Sequence, residues 1–92
     1  MNSQQRNEEI KDLNDAGKFR DAADKSSKDG DFKNAADYYS HSLWLYQEHL
    51  HCEHPIIGKI MADIAQMLTK LNKFKDALFY QSESDYILDI YK

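Results

Sequence analysis

The chain is short of what strands and tight turns need. Its 92 residues hold three Gly and one Pro. Those four are about 4% of the chain, against an average near ~12% for the two residue types together. Val is absent, and Thr69 is the single Thr. Hairpins and sandwiches draw on Gly and Pro for turns and on β-branched residues for strands. All-β and parallel α/β folds are therefore excluded, which leaves a helical chain with short connections.

Other shortages bound location and partners. Cys52 is the only cysteine, so no internal disulfide forms, and the reducing cytoplasm is the expected compartment. Twelve basic residues face sixteen acidic ones, for a net charge of −4. The deficit is even along the chain and no basic stripe stands out, which speaks against nucleic acid. No apolar run nears the roughly 18 residues of a membrane-spanning helix. Met1 to Glu9 is polar and lacks an apolar signal core. No membrane insertion is expected. Hydrophobic residues make up 41%, yet mean hydropathy is −0.80. A small core under long polar helix faces follows.

What is present is an internal repeat. Residues 31–42 lie over residues 73–84 at an offset of 42, and six of the twelve pairs are identical. They are Phe32/Phe74, Lys33/Lys75, Ala35/Ala77, Tyr38/Tyr80, Ser40/Ser82 and Ser42/Ser84. Ala23/Ala65 and Phe19/Met61 continue the match upstream. Apolar periodicity predicts four helices, at about 15–28, 32–51, 56–71 and 74–91. Gly30 and Asn72 close the first and third, and Pro55 opens the third. The first fourteen residues read as a polar lead or an extension of the first helix, favoured as helix from about residue 5. Gly17 marks a join between two helices.

This pattern resembles the tetratricopeptide repeat, in which two helices pack antiparallel across a small turn residue. The first copy reads Phe19, Ala22-Ala23, Ser26, Gly30, Phe32, Ala35, Tyr39, Ser42. The second reads Met61, Ile64-Ala65, Leu68, Asn72, Phe74, Ala77, Gln81, Ser84. The period is 42 rather than the usual 34. With His54-Pro55 ahead of the second unit, it looks like the long repeat of kinesin light chains. The resemblance implies an all-α fold of two helical hairpins, residues 15–53 and 55–92, in four to five helices. Ala23, Ala35, Ala65 and Ala77 let paired helices approach, and Phe32 and Phe74 plug the grooves between them. Trp44 is assigned to the core. Residues 16–50 also resemble the start of the three-helix microtubule-interacting-and-trafficking domains, which bind helical tail motifs. That is the alternative architecture.

Chemistry is thinly represented. His49, His51, Cys52, Glu53 and His54 crowd one segment and raise a zinc reading. However, tetrahedral sites draw ligands from separated segments, and no second Cys or His pair follows. Cys52 lacks a recognisable base and oxyanion site. There is no Gly-rich phosphate loop. No catalytic residue, metal or cofactor is expected.

The tetratricopeptide resemblance implies peptide binding on the face made by the first helix of each hairpin. The matching positions include Arg20, Asp24, Ser27 and Lys28, then Lys59, Ala62, Asp63, Gln66, Thr69 and Lys70. Four bases in this set suit an acidic peptide. Repeats that clamp a terminal carboxylate carry Asn one turn after Lys or Arg. Here Asp24 follows Arg20, against such a clamp. In the last helix Ala77, Tyr80, Ser84, Ile87, Leu88 and Tyr91 can face inward. Phe79, Tyr86 and Ile90 then form a second stripe with no following helix to cover it. That stripe is expected to carry an interface, as a homodimer or with a protein partner. The function expected is a non-catalytic scaffold or adaptor for protein binding.

Overall fold

A computed structural model describes residues 3–91. It is all-α, with four helices: α1 (Ser3–Lys28), α2 (Phe32–His49), α3 (Pro55–Lys70) and α4 (Phe74–Asp89). Met1, Asn2 and Lys92 lie outside the described residues.

The helix ends follow from local chemistry. Gly30 takes φ +81° and Asn72 takes φ +64°, the left-handed turn that ends a helix. The Gly30 N–H donates to Ser27 O and the Asp31 N–H to Ser26 O, at 3.1 and 2.8 Å. Forty-two residues on, Asn72 donates to Thr69 O and Lys73 to Leu68 O, at 3.1 and 2.8 Å. The same pair of bonds thus closes α1 and α3. Asp31 caps α2 by accepting from the Asn34 N–H at 3.3 Å. At α3, His54 Nδ1 accepts from the Ile56 N–H at 3.2 Å, and Pro55 fills the first turn, where its missing N–H is not needed.

Helices pack in chain order: α1 on α2, α2 on α3, α3 on α4. The result is a slab measuring 45 × 30 × 19 Å, about two helix diameters thick. Its centre is α3, whose Ile57, Ile60 and Ile64 are the largest fully buried apolar side chains. Ala23, Ala35, Ala65 and Ala77 are all buried, as close helix approach requires. Gly58 is closer still: a Cβ there would lie 2.9 Å from Ile87 Cγ2.

Several expectations are corrected. Gly17 marks no join, because α1 runs through it unbroken. Ala16 and Ala23, fully buried on either side, hold that stretch against α2. The chain before residue 15 is helical from Ser3, in line with the favoured helix extension. Trp44 is 57% exposed rather than core. It stands edge-on to His41. Phe74 is 61% exposed and plugs nothing, unlike half-buried Phe32. Tyr91 is exposed, although its hydroxyl donates to Glu53 O at 2.7 Å. A three-helix bundle does not describe the chain, since α4 is a fourth helix packed on α3.

Candidate interaction surfaces

The expected peptide-binding residues separate into two places. Arg20 and Asp24 of α1 lie within electrostatic reach of Asp63 on α3, with Lys59 beside it. Tyr39 of α2 forms the floor, and its hydroxyl donates to the Asp24 carboxylate. Burial, that hydrogen bond, and the charges of Asp63 and Asp24 hold the Tyr39 hydroxyl protonated far above the usual tyrosine range. Asp63 is half-buried, and its carboxyl is raised above the ordinary aspartate range. Burial is the largest cause and Asp24 adds to it, while Arg20 and Lys59 pull the other way. This cluster is mixed in sign and largely self-compensating.

Gln66 and Lys70 belong to a different surface. With Thr69 of α3 and Phe74, Leu78 and Gln81 of α4, they line an open apolar groove of about 440 Å³. Lys70 also reaches back over the Phe32 ring, 5.9 Å from its centroid. Lys28 is exposed in the last turn of α1 and joins neither group.

The outer stripe of α4 lies where its spacing puts it. Phe79, Tyr86 and Ile90 are all exposed. Phe79 borders a second depression with Lys33, Asp37 and Ser40 of α2. Two surfaces escaped the sequence reading. One is the Leu78 side of α4, 67% exposed at that residue. The other is an aromatic cluster on α1 and α2: Phe19 stacks on His41 with centroids 4.2 Å apart, and Tyr38 and Trp44 flank them. The 42-residue offset held the signal for the first, since Leu78 replaces a buried alanine, Ala36.

The histidine-rich segment is engaged in local bonds. His49 Nε2 meets Asp12 Oδ2 at 2.8 Å, tying the end of α2 to α1. His51 Nδ1 accepts from the Glu53 N–H at 3.1 Å, and His54 caps α3. Among the described residues no three His, Cys, Asp or Glu side chains gather as metal ligands. No helix among them is long and apolar enough to cross a membrane.

No protein-family model, curated protein or solved structure matches the chain.

Proposed function

We propose that the chain is a non-catalytic protein-interaction and assembly module of the tetratricopeptide type, acting in the reducing cytoplasm. The observation that carries this reading is the uncovered apolar surface of the last helix. Phe74, Leu78, Phe79, Tyr86 and Ile90 lie within 17 residues and all are exposed. Large apolar side chains left exposed together on one helix serve docking. The repeated helix closures at Gly30 and Asn72, and the alanines where helices meet, support the repeat type. The exposed thiol of Cys52 suits a reducing compartment. Self-association runs through the outer stripe of Phe79, Tyr86 and Ile90. The Arg20–Asp24–Lys59–Asp63 face is left for a peptide. Light scattering over a dilution series tests the assembly. The expected result is a dimer that Phe79→Asp combined with Ile90→Asp dissolves without loss of helicity. A monomer at every concentration, with or without those changes, removes self-association from the proposal.

A further inference from the structure

The 42-residue repeat makes the α3–α4 groove comparable with a surface that is already occupied. On α2, the stripe of Phe32, Ala36, Tyr39 and Leu43 belongs to the core shared with α3. Lys70 of α3 extends over the Phe32 ring. The equivalent stripe on α4 is Phe74, Leu78, Gln81 and Asp85. All four are exposed. The groove is thus the seat α3 takes on the first hairpin, repeated on the second and left open.

The chemistry of the seat selects its occupant. It is about 440 Å³ in volume and apolar at Phe74 and Leu78. Asp85 stands where Leu43 does, so that end accepts a basic group. Where Asp63 faces Arg20 and Asp24, the second hairpin offers only Ala62 and Gln66. A carboxylate there would lack a counterpart of Arg20, the lining cation Lys70 standing one turn further along α3. On the groove side of α4, Asp85 and Asp89 continue the Phe74–Leu78 stripe at helical spacing, whereas Asp76 borders the depression that holds Phe79. An acidic helix beside an apolar groove calls for a basic amphipathic helix.

A second copy of the chain does not supply one. Its α1 is the helix equivalent to α3, but it carries Asp15, Lys18 and Lys25 at the positions of Ile57, Ile60 and Met67. Seating α1 would bury three charges in the groove, and head-to-tail filaments are disfavoured for that reason.

We infer that the α3–α4 groove binds a basic amphipathic helix of a partner protein, with apolar residues spaced like Ile57, Ile60, Ile64 and Met67. The inference rests on reading the chain as an interaction module. It does not depend on assembly through Phe79 and Ile90, which lie on another face of α4.

The probe is a fluorescein-labelled peptide of residues 55–70 carrying Asp63→Asn, titrated with the intact chain. Saturable binding is expected on the order of micromolar. Leu78→Asp weakens it by about tenfold or more, because it removes a buried apolar contact and opposes nothing basic in the stripe. Leu78 is a surface residue, and circular dichroism checks that helicity is kept. Trp44→Asp, and Phe79→Asp with Ile90→Asp, leave binding unchanged. The peptide that retains Asp63 binds more weakly. Absence of saturable binding, or binding indifferent to Leu78→Asp, overturns the inference. So does a dimer of the chain that Leu78→Asp dissolves, which gives the groove to a second copy. The Phe79 and Ile90 mass measurement reads the other face, so either proposal can fail while the other stands.

Discussion

At the scale of single residues, the two helix-interior glycines have opposite reasons for being there. Gly17 has only the Tyr46 hydroxyl near a would-be Cβ, at 3.9 Å. Gly17→Ala is expected to raise stability by about 0.5–1 kcal/mol, because alanine restricts the unfolded chain and favours helix. A Cβ at Gly58 would lie 2.9 Å from Cγ2 of buried Ile87 and 3.1 Å from Leu88 Cγ. Gly58→Ala pushes α4 off α3 and is expected to lower stability by about 1–3 kcal/mol. Urea melts of both variants check the contrast, and equal shifts would refute it. Asp63 gives a pH signature. Its folded carboxyl is raised above the unfolded value, so the folded state binds the extra proton. Stability from this group is present at low pH and is lost as pH rises from the ordinary aspartate range through the raised value. Asp63→Asn is therefore expected to flatten that fall and to raise the melting temperature at pH 7. A variant no more stable than the parent at pH 7 argues against it.

At the scale of elements, the two hairpins share helix ends but not caps. Asp31 caps α2, whereas its equivalent Lys73 makes no side-chain capping bond to α4. Lys73→Asp restores an acceptor at a helix N-terminus and is expected to add about 1 kcal/mol. A calorimetric melting temperature that does not rise would show that the α4 terminus is already satisfied. Three helix ends were readable in the sequence because single residues set them: Gly30, Asn72 and Pro55. Which arc of a helix is buried was less readable. Leu43, Trp44, Leu45 and Tyr46 are all apolar or aromatic, and α2 touches both α1 and α3, so its apolar arc is wide. Periodicity cannot say which side of such an arc is left out, and the structure leaves out Trp44. Phe74 misled for a different reason. It copies Phe32 in sequence, but the helix that shelters Phe32 has no counterpart over Phe74.

At the scale of the whole molecule, packing in chain order makes stability uneven. Each helix depends on its neighbours, as in a one-dimensional array. Only α2 and α3 have a helix on both sides, and α3 holds Ile57, Ile60, Ile64 and Met67 in the core. The first half of α1 is mostly exposed and buries no large apolar side chain. Ile10 is exposed there, and Asp12 bonds His49 of α2. Local openings cost least where few apolar contacts are broken. Native-state hydrogen exchange should therefore rank amides 57–67 as the slowest, those of α4 as intermediate, and 5–12 as the fastest. Ile60→Ala is expected to lower global stability by about 2–4 kcal/mol and to speed exchange in every helix, since α3 supports both hairpins. Ile10→Ser should change exchange only at the start of α1. Uniform protection across the four helices would contradict this gradient and indicate one closed core. The same gradient bears on the open groove. A partner helix seated on Leu78 gives α4 a second neighbour, so its amides should slow toward those of α3 when the peptide of residues 55–70 is bound. Protection confined to α1 and α2 would place that peptide elsewhere.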